Sequence, residues 1–475
     1  MRSTLDGAHR VQGEHQIDGD LVTRFTRRIR GDVLRPGEAG YDNARTIWNA
    51  RFDRRPGLIV RCVQADDVMA GVDLASSEGL PLAVRGGGHD YAGRSACEGG
   101  VLLDLSPMSQ VRIDQERKLA KVQVGATWGD FDREAQAFHL GTTAATVSTV
   151  GVSGYTLGGG TGHLARSHGL AVDNLVAAEL VTADAHLVRA SETENPDLFW
   201  GIRGGGGNFG VAVSLEFALH PVGPNVLAGQ IVYRFEDAAE VLRSYRDFIT
   251  GAPDQLACYA FIIRVPPIEA FPEERHGEVA IDLVVVYTGA IADGRKVIEP
   301  LRALANPILD WVEPQPYAAV QQTFDAGTPK GLRWYSKAHM LPGLPDGAID
   351  TILQHAELLP GAFTMVYLEP MGGAIGRVDP TAMAFPHRDA AYNFHVLAGW
   401  QDPDEDERLT QWTRGFHQAM APYSTGGVYV NLLGEDESDR IRAAYGGNYQ
   451  QLVELKRVWD PQNFFRMNNN IPPYA

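Results

Sequence analysis

Three glycine runs crowd the first half of this 475-residue chain, at Gly86–Gly88, Gly158–Gly160 and Gly204–Gly207. Glycine is a poor residue for the interior of a helix or strand. Each run therefore marks a loop that turns through positive φ or lets the backbone approach something closely. The total of 52 glycines exceeds the usual share of about 7%. The first run, Arg85-Gly86-Gly87-Gly88-His89-Asp90, sits where a strand is expected to end. Three glycines there can aim backbone N–H groups at a phosphate or a ring, and the histidine closing the loop faces the same ligand. A tight turn with a surface histidine is the plain alternative.

The other two runs exclude familiar sites. Gly151-Val-Ser-Gly-Tyr155 nearly forms a serine-hydrolase elbow but carries tyrosine at its last position. Gly205–Gly210 matches GxGxxG, yet a strand rather than a helix is expected after it, so the helix N-terminus that a Rossmann pyrophosphate site requires is missing. No GxxxxGK[ST] occurs. The three runs together suggest another way of gripping a dinucleotide.

A chain of this length exceeds what one hydrophobic core usually serves, so two lobes are expected. The net charge of −17 argues against a nucleic-acid partner. No apolar run is long enough to span a bilayer, and Met1–Asp20 is polar without a hydrophobic signal core, so no membrane association and a cytoplasmic location are expected. Cys62, Cys97 and Cys258 are odd in number and lack CxxC spacing, and no HExxH pattern occurs, so neither a disulfide framework nor a metal site is expected.

Hydrophobic patterning predicts a βαβ unit, with strands at 58–62 and 82–85 around a helix at 65–79. Short strands follow at 101–105, 111–113 and 119–124, and then a helix over 128–138 capped by Thr127 with Asp130 completing a capping box. Buried strands are expected at 175–182 and 211–219. Beyond Pro221 longer strands at 230–235, 259–265, 279–287, 364–369 and 393–400 alternate with helical stretches, the pattern of an antiparallel sheet with helices on one face.

Arg85–Asp90, Val150–Gly160, Arg166–Asn174, Asn195–Gly210 and the ending Tyr445–Pro473, taken in order, resemble the berberine-bridge-enzyme-like FAD-linked oxidases, which belong to the vanillyl-alcohol-oxidase, or PCMH-type, flavoproteins. The resemblance implies an α+β fold. A PCMH-type FAD-binding lobe would span residues 1–220, with its core at about 54–220. A substrate lobe would occupy 221–429, and 430–475 would return to the FAD lobe.

In that family the histidine matching His89 bonds to the flavin 8α-methyl, and a neutral imidazole is a competent nucleophile for the link. The cysteine that gives many members a second tether is matched by Val147, so a single link is implied. Flavin contacts are implied for Arg85, Gly86, Gly87, Gly88, Asp90, Val150, Gly151, Gly154, Tyr155, Gly158, Gly159, Gly160, Gly207, Asn208, Asn468 and Asn470. Val150 matches a position associated with oxygen access, and Tyr155 stands where many members have histidine. Tyr445 matches a tyrosine that acts as base in several members, which requires stabilisation of its phenolate. Glu369 is a second candidate acid or base, with a solvated strand-end glutamate as the alternative. Trp334, Tyr335, Tyr367, Tyr392 and Tyr429 are candidates for an aromatic pocket or for sheet packing. The implied reaction moves a hydride from a small alcohol, sugar, amine or secondary metabolite to FAD, with O2 as final acceptor. A dehydrogenase, an oxygenase of a polyketide-like substrate, and a non-catalytic flavin-binding protein are the rivals. The sequence leaves the oligomeric state open.

Overall fold

The computed structural model describes residues 17–474; residues 1–16, most of the polar N-terminal stretch, lie outside the described residues. The expected βαβ unit is present. Strand β2 (Leu58–Arg61), the helix Ala65–Ser77 and strand β3 (Leu82–Arg85) follow in order. Strand β4 (Val101–Asp104) enters between β2 and β3, parallel to both, and β1 (Asp32–Leu34) pairs antiparallel with β2 at the edge. All four residues of β4 are buried, as are the first three of β2, which explains why they read as unbroken apolar runs.

A second sheet is antiparallel, in the order β5-β6-β10-β8-β9: β5 (Val111–Asp114), β6 (Leu119–Gln123), β8 (Leu175–Val181), β9 (Leu187–Ser191) and β10 (Val211–Ala218). The short strands β7 (Leu140–Gly141) and β11 (His220–Pro221) pair separately. Helix Trp128–Gln136 opens with the predicted capping box, Thr127 and Asp130 each accepting the other's backbone N–H.

The third sheet has seven strands, all antiparallel, in the order β15-β12-β14-β13-β17-β18-β16. They are β12 (Asn225–Arg234), β13 (Leu256–Arg264), β14 (Val279–Tyr287), β15 (Leu309–Pro316), β16 (Arg333–Leu341), β17 (Met365–Pro370) and β18 (Tyr392–Trp400). The sequence reading lacked β15 and β16. β15 is an edge strand with two prolines, tolerated there because one side of an edge strand needs no ladder donors. β16 is buried on both faces after its first residue and so shows no alternation. Helices Ala238–Thr250, Ile291–Arg302, Asp346–Ala356 and Asp406–Met420 cover one face, packing Tyr245, Ile298, Ile349 and Phe416 against Cys258, Ile262 and Phe394. Period-2 alternation sends Tyr259 and Phe261 to the opposite face.

That opposite face meets the first two sheets. Arg166 donates to the carbonyls of Leu256, Ala252 and Met371, and Arg388 makes two bonds of 2.8 and 2.7 Å to Asp173. The C-terminal segment joins the core of the first two sheets, Leu452 and Ile471 packing in one cluster with Val152 and Phe209.

Asp282 of β14 is buried and accepts from Gln230 at 2.7 Å, with its second oxygen unpartnered. Burial pushes its carboxyl up to about 7, against the hydrogen bond that lowers it. A raised carboxyl stabilises the fold fully only below its unfolded value, and the contribution is lost as pH rises through about 7. Asp282→Asn is therefore expected to raise the thermal midpoint at pH 8 by several degrees and to leave it nearly unchanged at pH 4, as calorimetry at both values will check.

Candidate active site

A cavity of about 400 Å³ opens between the third sheet and the loops of the other two. Its floor is the contact of two glycine loops. A Cβ on Gly87 would lie 2.2 Å from the Gly151 nitrogen, and one on Gly151 would lie 2.3 Å from the Gly87 nitrogen. Only glycine at both positions permits this approach. It holds His89 beside the segment 145–151 on one wall.

The backbone N–H groups of Gly87, Gly88, His89, Asp90 and Tyr91 have no protein acceptor among the described residues. The Asp90 carboxylate turns back on its own loop, accepting from the N–H groups of Ala92, Arg94 and Ser95. His89 stacks on Trp48 at 5.0 Å between centroids, and Trp48 stacks on Trp334 at 4.8 Å. Its Nε2 lies 3.0 Å from the Thr149 hydroxyl. Burial, aided by the charge of Lys330, lowers the imidazole to about 4, so it is neutral at pH 7. In the tautomer whose Nε2–H donates to Thr149, the free lone pair sits on Nδ1, the form a nucleophile requires.

These residues fit a flavin dinucleotide. A Cβ on Gly154 or Gly207 would meet no protein atom within 4 Å, so both hold open space along the cavity. The side-chain oxygens of Asn468 and Asn469 are buried there without partners, as is the Ser95 hydroxyl. Unspent donors at the glycine loop and unspent acceptors at the C-terminal segment are what a long ligand with phosphates and a heterocycle takes up.

On the sheet side, Glu369 and Asn393 are directly paired across β17 and β18, and Asn393 donates to Glu369 at 3.0 Å. Burial raises the Glu369 carboxyl, opposed by hydrogen bonds from Asn393 and Thr161. Tyr155 donates to the Thr161 carbonyl. The Tyr429 oxygen accepts from the Gly160 N–H at 2.7 Å and from Asn431 at 2.8 Å.

Most of the residues singled out in the sequence line this one cavity: Gly86–Asp90, Val147, Val150, Gly151, Gly154, Tyr155, Gly158, Gly207, Asn208, Asn468, Glu369 and Tyr445. Four do not. Arg85 turns away to pair with Asp104 at 3.0 Å, Gly159 and Gly160 pack against Phe385 and Ala171, and Asn470 lies off the wall. Glu369 is buried rather than solvated. Tyr445 donates to the Gly205 carbonyl at 3.4 Å and stacks near Tyr449. Its phenol is raised by burial, opposed by the charge of Arg94, so the net direction is the opposite of what a base needs. Of the aromatic candidates, Tyr367 and Tyr429 line the cavity, whereas Tyr392 faces the helices and Tyr335 binds Asp436. Trp48, Thr149 and Asn393 escaped the sequence reading, because each reaches the site by packing or strand pairing and no local motif marks it.

Residues 56–191 match the FAD binding domain family model, and residues 428–472 match the model described as berberine and berberine like. An FAD-linked oxidoreductase of Dictyostelium discoideum is 32% identical, the match covering 95% of this chain and 97% of that one. The (R)-6-hydroxynicotine oxidase of Paenarthrobacter nicotinovorans is 30% identical, with 94% and 97% covered. The crystal structure of 6-hydroxy-D-nicotine oxidase from Arthrobacter nicotinovorans superposes with a TM-score of 0.85 at 28% identity, over 94% of this chain and 98% of that one. Fold and site define an FAD-binding oxidoreductase. The chain belongs to the berberine-bridge-enzyme-like family of FAD-linked oxidoreductases.

Gly154→Val is expected to fold with an unchanged thermal midpoint for the cofactor-free protein, since the new side chain enters open space. The same side chain should cut flavin content severalfold, read from the ratio of flavin to protein absorbance.

Proposed function

We propose that this enzyme is an oxidase carrying FAD bonded covalently to His89 alone, and that Glu369 takes the substrate's proton. The observation that carries the reading is the setting of His89: neutral, stacked on Trp48, tied through Nε2 to Thr149, and closing a glycine loop whose N–H groups are unspent. Val147 lines the cavity where a second tether would need cysteine. Bound FAD supplies a hydride acceptor, and O2 takes the electrons on to H2O2. Val150 on the cavity wall, matching the family position associated with oxygen access, favours O2 as that acceptor.

The chain's own work is positioning and proton transfer. Tyr259, Phe261 and Tyr367 on the sheet, with Phe324 beside them, present aromatic surface to a small substrate. Glu369 lies among them, close enough to Asn393 and Thr161 to be held in one place. A carboxylate raised by burial is a stronger base than one in water, and its charge is directed at the bound substrate. One of the relatives is named as a 6-hydroxynicotine oxidase, so a compact substrate bearing an amine or hydroxyl group is the class to screen.

Digestion of the denatured holoenzyme is expected to yield one yellow peptide, the one containing His89, and His89→Ala is expected to release its FAD on denaturation. A flavin peptide from anywhere else sinks the proposal. Stoichiometric H2O2 per substrate oxidised is the second expected result; turnover with an artificial acceptor but no H2O2 would make the enzyme a dehydrogenase.

Because Glu369 must be ionised to act, kcat should rise with pH through a value above the ordinary carboxylate range. Glu369→Gln should lower kcat by about 10²- to 10⁴-fold and abolish that acid limb.

A further inference from the structure

Behind Tyr367 lies a buried chain of hydrogen bonds that the proposed chemistry does not use. Tyr367 is directly paired with His395 across β17 and β18, and its hydroxyl is 2.5 Å from Nδ1. Nε2 of the same ring is 2.6 Å from the Ser336 hydroxyl, which is 3.3 Å from the Leu432 carbonyl. Tyr367 lines the cavity, and His395 and Ser336 stand behind it, fully buried.

The carbonyl at the end of the chain sets its direction. It can only accept, and no other protein group among the described residues donates to it. Buried carbonyls are rarely left unpaired. Ser336 therefore donates to Leu432, Nε2–H donates to Ser336, and Nδ1 accepts the Tyr367 proton. The opposite order would leave the Leu432 carbonyl without that donor. Burial lowers the His395 imidazole to about 3, so the ring stays neutral and the order holds at working pH.

With its proton committed inward, Tyr367 offers the cavity only lone pairs. Further acceptor oxygens stand beside it on the same face. Glu369 places its carboxyl group two residues along, and Asn393, which also lines the cavity, donates one amide N–H to Glu369 while its side-chain oxygen is buried without a partner. Glu369 is the one charged side chain that the third sheet contributes to the cavity lining. Aromatic faces at Tyr259, Phe261 and Tyr367 complete the wall, and such faces attract cations.

We propose that this wall selects a cationic amine, whose N–H groups are read by Glu369, Asn393 and Tyr367, and that His395 and Ser336 are positioning residues which lock Tyr367 as an acceptor. The inference rests on the oxidase reading for its chemistry and names the substrate class within it. For an amine R2CH–NH3+, one N–H bond breaks and the proton goes to Glu369, leaving R2CH–NH2. Loss of the Cα hydride, with its electron pair, to FAD then gives R2C=NH2+. Water converts that product to a ketone and ammonium.

The test uses the flavin-loaded protein without oxygen and reads binding from perturbation of the flavin absorbance. Four probes of similar shape differ only in polarity: benzylamine, benzyl alcohol, acetophenone and benzoate. Benzylamine is expected to bind at least about tenfold more tightly than the alcohol, since a hydrogen bond to a charged group is the stronger, and benzoate should not bind. Tyr367→Phe should weaken benzylamine about tenfold and leave benzyl alcohol within about threefold. His395→Phe should free the Tyr367 proton to donate outward, so acetophenone gains affinity as benzylamine loses it.

Selective ¹⁵N-histidine NMR gives a readout independent of any probe, with His395 expected in the Nε2–H tautomer and its signal altered in Ser336→Ala. The Nδ1–H tautomer, a wild type that binds none of the probes, or equal affinity for benzylamine and benzoate each overturns the proposal. Benzylamine bound with the expected preference but never able to bleach the flavin would sink the oxidase reading while leaving the acceptor wall in place.

Discussion

The approach of two backbones, at Gly87 and Gly151, is the contact on which the site depends. Atoms of the two loops come so close that a methyl group on either would overlap the other's main chain. One hangs from the end of β3, and the other leads into the helix Val152–Leu157 through a bridge between Thr127 and Gly151. Their meeting leaves a row of N–H groups unspent, brings His89 to the cavity wall, and sets Thr149 where it can engage the imidazole. The same close contact that excludes side chains makes room for a ligand.

The opposite wall obeys a different rule. A seven-stranded antiparallel sheet with helices on one face has a second face to dispose of. Where that face lines the cavity it carries aromatics and one carboxylate, Glu369, instead of a solvated polar surface. Glu369 is kept from water by its neighbours and kept in place by Asn393. Isolation raises its proton affinity, and the aromatic surroundings restrict what can approach it. Arg166 and the Arg388–Asp173 pair then clamp the sheet onto the glycine loops through bonds that cross between them. A charged pair this deeply buried is costly to break because either partner left alone would be an unpaired buried charge.

Much of the fold was legible because its local rules agree. The capping box at Thr127, the apolar runs of β2 and β4, and the alternation along β13 and β14 each declare an element within a few residues. β15 and β16 were not legible, since prolines disguise an edge strand and two-sided burial erases alternation. In the site, residues inside motifs were found and residues outside them were not. Tyr445 shows the limit of position within a motif. It lies on the cavity, yet its hydroxyl is spent on the Gly205 carbonyl, while Tyr429, sixteen positions earlier, receives two N–H donors beside the Glu369 cluster.

By itself the sequence determined where backbone had to come close, because only glycine allows it, and which histidine would close that loop. It pointed to the family through the ordered set of motifs, and it places valine rather than cysteine at position 147. Tertiary structure alone decided that Glu369 is buried on the cavity wall and that the Tyr445 hydroxyl is directed to the Gly205 carbonyl. That choice depends on pairings between residues far apart in the chain, Tyr367 with His395, Glu369 with Asn393 and Tyr429 with Gly160. The direction of a hydrogen bond, and the cost of burying a charge, exist only once those partners have met.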